Sequence, residues 1–163
     1  MNRILVAGIG NIFFGDDAFG LVVVEELKRS ELPPEVEVLD FGIRGYDLAY
    51  TIMDGYAATI LVDATTRGNE PGTLYLIEPS QADSAALGTA APDGHSLGPV
   101  QVIQFVQSLG GQISSLYLVG CEPALLETDD GQMGLSEPVR GAVPGAVEMI
   151  RRLTRELVGK AGC

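Results

Sequence analysis

The stretch Ile4-Leu5-Val6-Ala7-Gly8-Ile9-Gly10-Asn11-Ile12-Phe13-Phe14-Gly15-Asp16-Asp17, running on into Ala18 to Lys28, decides how the rest of the chain is read. Ile4 to Ala7 is a short aliphatic run, the pattern of a strand buried on both faces. Gly8, Gly10 and Gly15 then punctuate a turn, and Ala18 to Lys28 follows with helical spacing. Acids precede that helix and a lysine stands near its end, as the helix dipole favours. A buried strand that passes through a glycine turn into a helix is the opening unit of an α/β sheet.

Working outward, the same alternation continues. Pro33-Pro34 separates the helix from a second strand, Val36 to Leu39, and Gly42 and Gly45 bound a turn leading into a helix near Asp47 to Met53. Ala58 to Val62 supplies a third, buried strand; Pro71-Gly72 turns the chain before a fourth, Thr73 to Ile77. Residues 78 to 98 are rich in Ala, Ser, Gly, Asp and Pro without a sustained period, and are expected to form a long loop. A helix over Val100 to Leu109, a fifth strand over Leu116 to Val119 and a last helix from Pro144 to Leu157 complete the series. With 163 residues and neither an internal repeat nor a linker, one domain over residues 1–163 is expected.

Composition narrows the function classes. The chain is 46% hydrophobic and 20% charged, and no apolar run approaches the roughly 18 residues of a membrane span. Its first apolar stretch is too brief for a secretory signal, so a cytoplasmic protein without a membrane partner is expected. Ten basic against 22 acidic residues give a net charge of −12, which repels nucleic-acid phosphates. Cys121 and Cys163 are too few and too far apart for a disulfide framework or a zinc ribbon.

The chemistry-bearing residues are sparse. His95 is the single histidine, in the loop Pro92-Asp93-Gly94-His95-Ser96-Leu97-Gly98. Asp17 follows the first strand and Asp63 ends the third, and open α/β sheets collect ligands beyond the carboxyl ends of their strands. One imidazole and two carboxylates make a small metal site, although a loop histidine is more often simply solvated. Asp16 is expected to cap the first helix. Gly8-x-Gly10 with Asp40 invites a dinucleotide reading, but the third glycine position is Phe13 and two acids stand where a pyrophosphate needs positive potential. Cys121, just after a buried strand, is expected to be a small core residue rather than a nucleophile. Asp16 and Asp17 point in different directions at a helix start, which argues against a proton-sharing pair. Phe13 and Phe14 are expected to pack against the first helix, with an exposed docking surface as the other reading.

Taken in order, Gly8-Ile9-Gly10-Asn11 with Asp16-Asp17, Asp40-Phe41-Gly42-Ile43-Arg44-Gly45, Val62-Asp63-Ala64, Pro71-Gly72-Thr73, His95-Ser96-Leu97-Gly98 and Gly120-Cys121-Glu122-Pro123 span nearly the whole chain. This ordered set resembles the hydrogenase maturation protease family. The resemblance implies a three-layer αβα fold with a five-stranded, mostly parallel mixed sheet. It also implies an endopeptidase that removes a short C-terminal extension from a nickel-iron hydrogenase large subunit after nickel insertion. The family's ligands carry over as Asp17, Asp63 and His95, which would hold the metal and carry the catalysis. Asp40, Gly42 and Gly45 are expected near the substrate. Nickel would arrive with the precursor, zinc or cadmium is expected to substitute in vitro, and the free protein is expected to be a monomer. The chain departs from the family pattern in Ala18-Phe19-Gly20, where many members place glycine directly after the acids. It departs again at Asp17, where some members use the longer Glu, and at Phe41 and Arg44, where smaller residues are frequent. A non-catalytic chaperone for metal-loaded precursor and a nucleotide-binding oxidoreductase stand as the alternatives.

Overall fold

The computed structural model describes residues 3–11, 15–78, 99–111, 113, 115–124 and 134–161. In chain order these form β1 (Ile4–Ile9), a 3-10 turn (Gly15–Ala18), α1 (Phe19–Lys28), β2 (Val36–Gly42), α2 (Gly45–Ile52) and β3 (Ala58–Ala64). Then come β4 (Leu74–Ile77), α3 (Pro99–Ser108), β5 (Leu116–Cys121) and α4 (Glu137–Ala161). The strands make one sheet in the order β2-β1-β3-β5-β4. All neighbours are parallel except β4, which runs antiparallel to β5 at the edge. The fold is therefore the three-layer α/β arrangement with a mostly parallel mixed sheet that the alternation of elements implies.

Strand periodicity builds two cores. Ile4 and Val6 of β1 join Ile60 and Val62 of β3 beneath α1 and α4, whereas Leu5, Ala7 and Leu61 face α2 and α3 on the other side. All six β1 residues are buried, which accounts for an aliphatic run without polar alternation. Phe19, Val23 and Leu27 bring one stripe of α1 into the first core. Leu48, Ala49 and Ile52 of α2 meet Val102, Ile103 and Val106 of α3 in the second.

The last helix begins two turns earlier than Pro144. Pro144 lies inside α4, and the buried positions Val139, Val143, Ala146, Ile150, Leu153 and Leu157 keep a three-and-four spacing straight through it. A proline within a helix removes one hydrogen bond and crowds the preceding turn. Continuous burial of the apolar stripe outweighs that local cost, because packing rather than propensity holds most helices together.

The chain runs from β1 outward to β2, then back across β1 to β3, so the strand order reverses between β1 and β3. Such a reversal leaves a crevice at the carboxyl ends of the two strands, where the following connections part to opposite sides.

Candidate active site

Two glycines press the start of α1 onto that crevice. A Cβ on Gly20 would collide with the Val62 carbonyl oxygen and stand 2.6 Å from that of Ile9, so only a bare backbone lets α1 sit on the ends of β1 and β3. Gly10 has φ +137°, a conformation that L side chains rarely adopt, and a Cβ there would strike the Asp17 backbone. The turn after β1 folds back on itself at this point, and the Asn11 amide donates to Asp17 Oδ2 at 2.9 Å. Gly8 and Gly20 thus serve close strand-to-helix packing, and a buried carboxylate from Asp16 occupies the helix start. These are poor terms for a pyrophosphate.

Asp17 and Asp63 are thereby brought to one edge. Asp63 lies in β3, in register with Gly120 of β5 and one residue beyond Val62. As a residue it is partly exposed, but its Oδ1 is sealed from solvent and has no hydrogen-bond partner among the described residues. Burial, and after it the Asp17 charge, push the Asp63 carboxyl well above the usual aspartate value, with only the Ala64 amide pulling the other way. A buried carboxylate oxygen without a donor, beside a second carboxylate, is destabilising for an isolated protein. The same arrangement is a ready oxygen donor set for a divalent cation, whose charge would relieve both penalties.

Two further acids at this edge are each held by several donors. Asp16 is fully buried and accepts hydrogen bonds from the Ala124 amide at 2.8 Å, the Ser136 amide at 2.7 Å and the Ser136 hydroxyl at 2.8 Å. The expected helix cap is corrected: the N-cap of α1 is Ala18, with no side-chain cap bond, and Asp16 instead ties the turn after β1 to segments beyond β5. Glu122, 3% exposed, accepts from the amides of Arg67 at 2.9 Å and Asn69 at 3.2 Å and from the Tyr75 hydroxyl. Burial raises its carboxyl, but the Tyr75 hydroxyl and the amides of Arg67, Asn69 and Gly68 more than offset this and hold it below the usual glutamate value. Glu122 enters the sequence reading only within the motif Gly120-Cys121-Glu122-Pro123, with no role assigned, and its place at this edge is given by these contacts.

Cys121 is a free, fully buried thiol. Burial and the neighbouring Asp16 and Glu122 push it up to about 12, the opposite of what a thiolate nucleophile needs. Gly42, at the end of β2 with φ +56°, accepts from the Gly10 amide at 2.9 Å through its carbonyl, which joins the turn after β2 to the turn after β1. Asp40 is partly exposed beside it, and its carbonyl receives Arg44 Nη2 at 2.7 Å. Gly45 is the buried first residue of α2 and has no positive φ, so the left-handed turn belongs to Gly42 alone of this pair. His95, Phe13 and Phe14 lie outside the described residues. Among the described residues no group of three or more His, Cys, Asp and Glu side chains lies together to hold a metal, and no helix is long and apolar enough to cross a membrane.

A family model described as hydrogenase maturation protease matches residues 21–153. The hydrogenase 2 maturation protease of Escherichia coli K12 is 32% identical over 155 residues, covering 94% of this chain and 92% of its own. The hydrogenase expression/formation protein HupD of Rhizobium leguminosarum is 34% identical over 154 residues, covering 94% and 74%. Among solved structures, the hydrogenase maturating endopeptidase HybD from E. coli superposes with a TM-score of 0.80 at 33% identity, over 94% of this chain and 93% of that one. The [NiFe] hydrogenase maturation protease HycI from Thermococcus kodakarensis gives 0.72 at 28% identity, over 94% and 93%.

Proposed function

Because this chain belongs to the hydrogenase maturation protease family, we propose that it removes the C-terminal extension of a nickel-iron hydrogenase large-subunit precursor once nickel has been inserted. The observation that carries this reading is the placement of Asp17 beside Asp63, whose buried Oδ1 has no hydrogen-bond partner among the described residues. A sealed Asp63 oxygen with no donor among the described residues, set beside the Asp17 charge, is relieved by anything positive delivered to it. Nickel carried by the precursor is such a charge, and here it acts as part of the substrate. Asp17, Asp63 and His95 are the proposed grips on it, which would align the scissile peptide beside the sheet edge. Carboxylate and imidazole donors suit nickel and zinc alike, so availability and geometry select the metal.

Bound there, a divalent cation supplies either polarisation of the scissile carbonyl or acidification of a water. The protein's own part is orientation. Asp16 and Glu122 fix the loops around the edge, and the raised Cys121 thiol is no nucleophile for the cut.

The test is the mass of a purified large-subunit precursor after incubation with the protein, run with nickel-loaded and nickel-free precursor. Wild type is expected to trim the loaded form only. His95→Ala and Asp63→Ala are expected to lose on the order of a hundredfold or more in rate, the scale on which misplaced reacting groups fail. Equal trimming of nickel-free precursor would remove the recognition role of the metal, and an unchanged mass would remove the substrate assignment.

A further inference from the structure

The face formed by α2 and α3 carries a row of exposed apolar groups that the site does not use. Tyr46 and Tyr50 are 57% and 56% exposed, and Ile43, Met53 and Leu109 are exposed beside them. These are not loose side chains. Tyr46 stands edge-on to Phe105 with ring centroids 4.7 Å apart, and Tyr50 does the same at 5.8 Å. Rings already held in place lose little further freedom on docking, and tyrosine is among the residues that concentrate binding energy in interfaces.

Charge sets this face apart from the rest of the chain. Of 163 residues 32 are charged, yet Pro99–Ser108 contains none and Gly45–Ile52 contains only Asp47, which pairs with Arg44 at 3.7 Å. Depletion of charge with enrichment in aromatic residues and Met is the composition of an interface centre. Position adds the direction. Ile43 directly follows Gly42, whose carbonyl is bonded to Gly10 at the rim of the Asp17–Asp63 edge. From there the row descends α2 for about 12 Å at 1.5 Å per residue. A protease edge is necessarily an interface with a protein, and this row is its continuation.

We propose that the row of Ile43, Tyr46, Tyr50 and Phe105 is the docking surface for the folded body of the protein whose tail is cut. The proposal rests on the proteolytic reading above. It assigns recognition of the tail to the sheet edge and recognition of the body to α2 and α3. The partner's matching face is apolar and not acidic, since this chain carries −12. The same charge on both members disfavours a second copy as the occupant.

The experiment compares wild type, the double variant Tyr46→Ser/Tyr50→Ser, Tyr50→Lys alone, and Leu76→Ser. Leu76 is an exposed apolar residue on β4, away from this face. Binding of the uncleaved precursor is measured by calorimetry, trimming by mass, folding by thermal melting and self-association by sedimentation. The double variant is expected to melt like wild type, bind precursor at least about tenfold more weakly and lose its efficiency through KM rather than kcat. Tyr50→Lys follows in the same direction, and Leu76→Ser matches wild type. Normal precursor binding by both tyrosine variants overturns the proposal while leaving the proteolytic reading intact. A wild type that binds precursor without trimming it overturns that reading, and the binding comparison still decides the docking surface. A wild type that does neither overturns both. A wild-type dimer that both tyrosine variants dissolve assigns the face to a second copy and overturns the proposal.

Discussion

Two pairs of acids share one edge of the sheet and live under opposite physics. Asp16 and Glu122 are almost wholly buried, and each is surrounded by donors: three from Ala124 and Ser136 for the first, amides and a tyrosine hydroxyl for the second. Asp17 accepts from the Asn11 amide but presses its charge on Asp63, one oxygen of which has no donor among the described residues. Full satisfaction marks a carboxylate that holds the fold together, while a sealed oxygen without a donor, as Asp63 has, makes that acid the candidate for a ligand contact under the function proposed above. The contrast is sharpest between Asp16 and Asp17, which are neighbours in sequence with different partners in space.

The contrast breaks most directly at Asp16. Asp16→Ala leaves two part-buried amides and a hydroxyl without the carboxylate that accepts from them, at an expected cost of about 3 kcal/mol. For a chain of this size that is a fall in melting temperature of roughly 6–12 °C, read by thermal denaturation. An unchanged melting temperature would mean that the Ala124 and Ser136 donors find other acceptors, and that Asp16 is not a strut. Asp63→Asn should move the other way and raise the melting temperature of the metal-free protein at neutral pH.

Gly20→Ala tests how the edge is built. Alanine is the better helix former, yet its Cβ must displace α1 from the Val62 and Ile9 carbonyls. A net loss of about 2 kcal/mol is expected in urea denaturation, typical of overpacking. Precursor trimming should fall further than stability does, since the displacement falls on Asp17. A variant as stable and active as wild type would show that the crevice tolerates a wider gap.

The finest test is the sign of two pH slopes. The Asp63 carboxyl is raised in the folded protein, so the native state binds more protons than the unfolded chain above about pH 4, and its burden on stability grows as pH rises through the folded value. The advantage of Asp63→Asn over wild type should therefore be largest near neutrality and shrink on acidification. The Glu122 carboxyl is lowered, so its contribution is present above the unfolded value near 4.3 and is lost as pH falls through the folded value. Glu122→Gln should cost about 1–2 kcal/mol at neutral pH, with a deficit that closes in acid. Melting curves from pH 3 to 8 on both variants check this, and parallel slopes would erase the distinction between the two pairs.

What the sequence determined is local in origin. The aliphatic run at Ile4, the glycine turn and the apolar spacing of α1 announce an α/β unit, because strand and helix periods are written in consecutive residues. Asp63 is legible as an acid at a strand end for the same reason, and the ordered motifs carry the family resemblance. Tertiary structure decided the rest. The start of α4 was hidden because Pro144 is a helix breaker by local rules, and only the buried stripe from Val139 to Leu157 outweighs it. That Asp16 rather than its neighbour Asp17 ties the turn to distant segments depends on Ala124 and Ser136, 108 and 120 residues away from Asp16. The role of Glu122 likewise depends on a loop more than fifty residues earlier. Whether a carboxylate's hydrogen bonds are satisfied is a property of the space around it, and no pattern of neighbours along the chain records it.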